Sequence, residues 1–353
     1  MFLNSKHAAQ IYWGDIAIAL QNFPSDLQDL SSSEFWDEWM LRWNKLANEY
    51  VSLASKSSST EGARSAWRSA AACFHWAEFM YFSNKIQKTQ MRQKVKECFM
   101  RSLEDTELLL SSGEFMNGKV RIPYYLVLPS QEATNDTVWP CVILSNGLDS
   151  VTEVEIFAFA EKFLARGMAV FMFDGPGQGI NVGCNPIDMK FETIVQQIIM
   201  YLKTESSIDI NRLGFFGVSF GGYIALRVAC YLEKQFQAVV NLSGGPCLSP
   251  YATLPRRLKE DFRYAFMGVD TIEMQNIFDQ LTLTVPEKIS TNVLSIHGAL
   301  DDIFPLAPLE DMHQIIGDRH RLKVYPSEAH VCLNYINQYS IDIADWLAQK
   351  LAK

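Results

Sequence analysis

Leu213-Gly214-Phe215-Phe216-Gly217-Val218-Ser219-Phe220-Gly221-Gly222-Tyr223-Ile224-Ala225-Leu226 passes from strand character to helix character through a Gly-x-Ser-x-Gly turn. Its first four residues form a short apolar run, and the stretch from Gly222 to Ala229 reads as a helix. Strand, sharp turn and helix together make this pattern a nucleophile elbow. Such a turn holds the serine in a strained backbone conformation, and glycines two before and two after let strand and helix pass without Cβ clashes. The hydroxyl then projects beyond the sheet edge, with a helix N-terminus beneath any negative charge that develops. The pattern alone also fits a Gly-rich turn bearing an idle serine, so its partners decide between the two.

A serine is a weak nucleophile without a base and an orienting acid. Behind such an elbow the chain order is serine, acid, histidine. Downstream, Asn292-Val293-Leu294-Ser295-Ile296-His297 reads as a strand and runs into Gly298-Ala299-Leu300-Asp301-Asp302. Arg321-Leu322-Lys323-Val324-Tyr325 reads as a last strand, followed by the loop Pro326-Ser327-Glu328-Ala329-His330 and a closing helix near Asn334. Ser219, Asp301 and His330 thus stand in the required order, each in a loop after a strand. Asp301 is the preferred acid, because Asp302 sits where turn residues lie. His297 reads as a packed histidine supporting the acid loop, and His313 and His320 as solvated surface. His75 reads as a satisfied core histidine that could face the pocket.

An oxyanion hole needs two backbone donors. One is the N–H after the nucleophile, here that of Phe220. The other is expected from the loop after the third strand. Val138-Trp139-Pro140-Cys141-Val142-Ile143-Leu144 reads as that strand and Ser145-Asn146-Gly147-Leu148-Asp149-Ser150 as its loop, with Leu148 N–H the choice and Gly147 next.

The 353 residues suit one large domain plus a smaller one, and 48% hydrophobic with 20% charged residues is the balance of a globular protein. A net charge of −9 argues against nucleic acid or anionic membrane as partners. The seven cysteines are scattered, with no Cys-x-x-Cys and no Cys/His ligand spacing, so neither a disulfide framework nor a metal site is indicated and a reducing cytoplasm is expected. Met1-Phe2-Leu3-Asn4-Ser5-Lys6-His7 lacks the pattern of a signal peptide, and no run of 18 apolar residues exists.

Residues 1 to about 112 read as helices. Ser31-Ser32-Ser33-Glu34 is a capping-box pattern, and Trp36, Trp39, Trp43, Leu46 and Tyr50 form a stripe at helical spacing, read as core. A third helix starts near Glu61 and is rich in alanine, and a fourth runs from about Lys88 to Leu110. Asn117-Gly118 between apolar runs predicts a hairpin. Beyond it strands and helices alternate, the rhythm of a parallel sheet covered on both faces. Residues 245 to about 288 break that rhythm and read as a lid insertion. The expected division is a helical cap domain, 1–112, and a sheet domain, 113–353. Asp174-Gly175-Pro176-Gly177-Gln178-Gly179 fits neither nucleotide-binding glycine pattern and reads as a tight loop shaping the pocket wall.

Together the Gly217–Gly221 elbow, the Asp174–Gly179 loop, the Asn146-Gly147-Leu148-Asp149-Ser150 loop, Glu328-Ala329-His330, and the segment from Glu61 to Phe79 resemble α/β-hydrolases that carry an N-terminal helical domain. The similar groups are the 2,6-dihydroxypseudooxynicotine hydrolases, fungal pigment polyketide-shortening hydrolases and fermentation-respiration switch proteins. The resemblance covers nearly the whole chain. The Gly-Pro-Gly-Gln-Gly loop with the helical domain is specific to the group, whereas the elbow is shared by all α/β-hydrolases. It implies an α/β-hydrolase fold, a Ser–His–Asp site roofed by the helical domain, no cofactor, and a small-molecule substrate, with a homodimer left open. Several members cleave a C–C bond next to a carbonyl in aromatic or polyketide-like compounds; others are esterases. One departure is that Gly245-Pro246-Cys247-Leu248-Ser249-Pro250-Tyr251 offers no acid near the end of the sixth strand.

The expected function is therefore a serine hydrolase acting through an acyl-enzyme on a ketone, ester or thioester of a bulky substrate. The competing readings are a carboxylesterase, thioesterase or acyltransferase of secondary metabolism, and a non-catalytic binding protein that kept the fold.

Overall fold

The computed structural model describes residues 11–27, 29–104, 106, 108–129, 137–268 and 270–352. The reading of residues 1–7 lies outside this set. Among the described residues four helices come first: α1 (Trp13–Leu20), α2 (Ser33–Lys56), α3 (Thr60–Glu78) and α4 (Lys85–Ser102). Ser32, not Ser31, caps α2, with its Oγ accepting from Phe35 N–H at 3.1 Å. Ser59 and Asn84 cap α3 and α4 in the same way. The stripe on α2 is core: Trp36, Trp39, Trp43 and Leu46 are buried, and Trp39 Nε1–H donates to Trp76 O across to α3 at 2.7 Å. The alanine-rich face of α3 is buried as well, which lets its neighbours approach closely.

The fourth helix ends at Ser102, earlier than its sequence suggests. Leu109–Asn117 is instead strand β1, paired antiparallel with β2 (Val120–Leu128) through a two-residue turn at Gly118-Lys119. Gly118 takes a positive φ of 61°, as that turn requires. Cross-strand pairing outweighs the helical propensity of Leu108–Leu110, so the boundary expected at 112 falls inside a strand.

The remaining elements are β3 (Trp139–Ser145), a π-helical turn at Thr152–Ile156 leading into α5 (Phe157–Leu164), β4 (Ala169–Phe173), α6 (Phe191–Leu202), β5 (Ile208–Val218), α7 (Phe220–Tyr231), β6 (Ala238–Leu242), α8 (Arg256–Phe266), α9 (Thr271–Leu281), β7 (Asn292–Gly298), α10 (Leu306–Ile316), β8 (His320–Tyr325) and α11 (Ile336–Lys350). Helices α8 and α9 occupy the stretch read as an insertion. The eight strands form one sheet in the order β1-β2-β4-β3-β5-β6-β7-β8. β2 is antiparallel to its neighbours on both sides, and every pair from β4 to β8 is parallel.

The central strands are buried on both faces, which is why they read as unbroken apolar runs. Val142, Leu144, Phe216 and Val218 point into one core layer with α5 and α11; Cys141, Ile143, Leu213 and Phe215 point into the other with α6 and α7. The N-terminal helices join the first layer. Phe99 of α4 packs edge-on against Phe157 and Tyr125, at 4.9 and 5.4 Å between ring centroids. Arg257 of α8 donates to Met80 O, and Tyr264 packs on Phe82, so the insertion touches the connection between α3 and α4.

Candidate active site

Ser219 sits between β5 and α7 with φ 58° and ψ −120°, a conformation rare for a residue with a Cβ. Its N–H is held by Leu242 O at 2.7 Å. The flanking glycines are required by packing. A Cβ on Gly217 would run into the Gly221 carbonyl, and one on Gly221 would strike Ser145 O and Asn146 O. Such a conformation costs about 1–3 kcal/mol and persists because the surroundings over-determine it.

Beside it stands His330, in the loop after β8. His330 Nε2 is 2.8 Å from Ser219 Oγ, and His330 Nδ1 is 2.8 Å from Asp301 Oδ2. With Nδ1–H donating to Asp301, Nε2 presents its lone pair to the serine hydroxyl. Asp301 is buried, and its Oδ1 accepts from Ile303 N–H and Phe304 N–H at 2.9 and 3.0 Å. Burial opposes its charge, but the His330 and Phe304 N–H bonds and the charges of His330 and His297 hold its carboxyl below the usual range. Asp302 next to it is exposed. His297 donates from Nε2–H to Phe304 O at 2.9 Å and lies 3.8 Å from Asp301, so it braces the acid loop. Burial lowers its pKa.

The backbone that carries His330 is also strained. Val331 and Cys332 have φ of 67° and 47°, and Val331 N–H donates to Ser243 Oγ at 3.0 Å. Ser243 itself has a φ of 52°. A β-branched residue in the left-handed region has no signature in sequence, and nothing in the sequence pointed to Ser243.

Ser219 and His330 open onto a cavity of about 150 Å³ lined by Asp149, Ser150, Glu155, Val218, Val331 and Leu333. A larger cleft, of about 350 Å³, lies on the surface among Ile18, Arg42 and Glu49, and its lining includes no serine, cysteine or histidine. Gly147 lies against Ser219, since a Cβ there would come 3.3 Å from Ser219 Cβ. Leu148 follows it, buried. Phe220 is the first residue of α7, so its N–H has no partner four residues back in the helix.

The Asp174–Gly179 loop does not line this cavity, contrary to its sequence reading; it braces the loop that does. Asp174 Oδ1 accepts from Asn146 Nδ2–H and Thr152 Oγ1–H at 2.7 and 2.6 Å, and Gln178 Nε2–H donates to Asn146 O at 2.7 Å. His75 also stands back from the cavity, bonded to a residue that lines it. Its ring bridges two buried carboxylates, Nδ1 to Glu78 Oε1 at 2.8 Å and Nε2 to Glu155 Oε1 at 2.7 Å. Glu78 continues the network to Lys88 and Arg92, and Arg92 donates to Gly179 O. His320 departs from its reading as surface: it is buried, bonded to Ser295 Oγ at 2.8 Å, and burial with the nearby His313 lowers its pKa to about 4. In sequence Asp149 reads only as a loop residue, and Glu155 is not singled out. No periodicity reveals which side chain of a loop or π-turn faces a cavity.

An elbow on the central strand of a mostly parallel eight-stranded sheet, with helices on both faces, defines an α/β-hydrolase. The chain belongs to the family described as esterase FrsA-like, whose model matches residues 26–290. It is 28% identical over 321 residues to the 2,6-dihydropseudooxynicotine hydrolase of Paenarthrobacter nicotinovorans, a match covering 88% of this chain and 83% of that protein. It is 29% identical over 217 residues to the alpha/beta hydrolase xenA of Xenoacremonium sinensis, covering 59% of this chain and 49% of the fungal protein. The crystal structure of the 2,6-dihydroxy-pseudo-oxynicotine hydrolase superposes with a TM-score of 0.84 at 24% identity, over 99% of this chain and 95% of that one. AbyA5 superposes with a TM-score of 0.73 at 14% identity, over 99% of both chains. These structures share the fold. The chain is thus an enzyme of the hydrolase class. Among the described residues no helix is long and apolar enough to cross a membrane.

Proposed function

We propose that this enzyme is a serine hydrolase that works through an acyl-enzyme on Ser219. What carries this reading is the pair of 2.8 Å hydrogen bonds from Ser219 to His330 and from His330 to Asp301. His330 Nε2 takes the hydroxyl proton as Ser219 Oγ attacks a carbonyl carbon, and Asp301 stabilises the imidazolium. The N–H groups of Phe220 and Leu148 receive the oxyanion, at the positive end of α7. Collapse expels the leaving group, which is protonated at the net expense of the His330 imidazolium, and water activated by the neutral His330 then releases the acid.

The bond broken is a C–C bond next to a carbonyl in an aromatic or polyketide-like substrate. Kinship with an enzyme named for 2,6-dihydropseudooxynicotine supports this. Cleavage of this kind needs a stabilised carbanion, so a β-dicarbonyl or an acyl arene is the substrate class. A cavity of about 150 Å³ takes the reacting carbonyl and a small acyl group. A bulkier substrate needs the segments over the site to part, and lid motion of this kind can limit turnover. Ester or thioester hydrolysis is the second reading, favoured by the description of the family as esterase. Mass spectrometry of products from aryl ketones, β-diketones, esters and acyl thioesters separates them. Turnover of β-diketones to a carboxylic acid plus a ketone supports the first, and turnover of esters alone supports the second.

A further inference from the structure

A carbon leaving group departs as an enolate or carbanion, a far stronger base than the phenolate of an activated ester. The stretch Gly245–Tyr251 at the end of β6 carries no acid to meet it. The cavity, however, holds two carboxyl side chains beside Ser219 and His330: Asp149 and Glu155. They are held differently. Glu155 is engaged on both oxygens, Oε1 by His75 Nε2 at 2.7 Å and Oε2 by Val151 N–H at 3.1 Å. The half-buried Asp149 carboxyl takes no hydrogen bond from another residue among those described. It follows directly on Gly147 and Leu148, of which Gly147 abuts the Ser219 side chain.

We propose that Asp149 is a catalytic acid that delivers a proton to the carbon leaving group as the acyl–carbon bond breaks. This rests on Ser219 being the nucleophile. The tetrahedral adduct collapses, the acyl–carbon bond pair passes to the enolate, and the Asp149 carboxyl O–H protonates the enolate oxygen. An enol departs, leaving the acyl-enzyme and an Asp149 carboxylate. The proton that His330 took from Ser219 then returns to Asp149 through water, so His330 is again a base when water attacks the acyl-enzyme. Every proton is accounted for without an added reagent.

The surroundings favour a protonated Asp149. Burial and the negative charge of Glu155 raise its pKa, against the opposing charges of His75 and His330. The charged groups that act on it come from every side: Glu155 from the π-turn, His75 from α3, His330 from the loop after β8, and Asp261 from α8. A carboxylic acid kept neutral by its surroundings so that it can donate a proton is an established device in enzymes.

The test uses the full-length enzyme and two substrates, 1-phenyl-1,3-butanedione and 4-nitrophenyl butyrate. The nitrophenolate of the second leaves without needing a proton. For Asp149→Asn the ratio of diketone to ester kcat/KM falls by about 100-fold or more, the usual worth of a general acid. Asp149→Glu restores part of the ratio. The wild-type diketone profile declines at high pH as the acid deprotonates, and that limb is missing in Asp149→Asn. An unchanged ratio, through equal loss on both substrates or no loss on either, overturns the assignment, as does wild-type enzyme that turns over the ester and never the diketone. If wild-type Ser219 resists a fluorophosphonate, the nucleophile assignment itself has failed, and the role of Asp149 falls with it.

Discussion

His75 Nε2 and Glu155 Oε1 lie 2.7 Å apart, joining the third helix of the N-terminal segment to the wall of the cavity at Ser219 and His330. The same Glu155 carboxylate holds Val151 N–H at the end of the loop that carries Leu148 and Asp149. The helical segment thereby grips the loop on which the second oxyanion donor is proposed to sit. Replacing His75 by Ala leaves the buried Glu155 without its counter-charge, while Glu78 keeps Lys88 and Arg92. Losing one partner of such a buried group costs about 3–5 kcal/mol. Urea denaturation of His75→Ala is expected to show a loss of this size, with partial recovery in His75→Gln. A His75→Ala protein as stable as wild type contradicts the account.

The same histidine sets a pH dependence. Burial works against the imidazolium, but the charges and hydrogen bonds of Glu155 and Glu78 outweigh it and raise the pKa from 6.5 to about 9. The folded chain therefore holds this proton more tightly than the unfolded one. The stabilisation is fully present below pH 6.5 and is lost as the pH rises through about 9. A shift of this size corresponds to roughly 3 kcal/mol. Glu153 and Asp261 act in the same direction. Burial and the charge of Asp174 raise Glu153 to about 7, and burial with the neighbouring Asp149 carboxyl raises Asp261 to about 8. The urea midpoint should fall across this window in wild type and fall less steeply in His75→Gln. Identical slopes in the two proteins would remove His75 from the explanation.

Asp301 and Asp302 are adjacent in sequence, yet only Asp301 bonds His330 while Asp302 is exposed. Asp301→Asn loses the acceptor that fixes the histidine tautomer, and a fall in kcat of about 10⁴ is the scale of that effect. Asp302→Asn should stay within a few-fold of wild type. The reverse order in a kinetic comparison of the two variants would exchange their roles.

Much of this was legible in the sequence because the signals are local. The elbow glycines, the strand before Asp301 and the loop before His330 each follow from a run of a few residues. The end of the fourth helix was not legible, because Leu109–Asn117 becomes a strand only by pairing with β2. The burial of His320 was missed for a related reason. Its strand is short and polar, and its partner, Ser295, lies 25 residues earlier on β7. The two cavity carboxyls depend on a π-helical turn and a loop whose side-chain directions no periodicity encodes.

The helical segment and the sheet share a core layer, so the segment should not be separable. A chain beginning at residue 113 cuts β1 and uncovers Tyr125 and Phe157, which Phe99 packs against. It should express as aggregate or lack a cooperative unfolding transition. The point variant Phe99→Ala should lose about 3–5 kcal/mol in urea denaturation. A soluble 113–353 fragment with wild-type activity and selectivity would show that the helices form an independent module.

The central claim is that Ser219 is the nucleophile. Ala fits the elbow about as well as Ser, so Ser219→Ala should fold normally while losing several orders of magnitude in turnover. The direct measurement is intact-protein and peptide mass spectrometry after treatment with a fluorophosphonate. The account predicts one adduct per chain on the peptide containing Ser219, blocked by Ser219→Ala and slowed greatly by His330→Ala. An unlabelled wild-type chain, or an adduct that persists in folded Ser219→Ala, would contradict it.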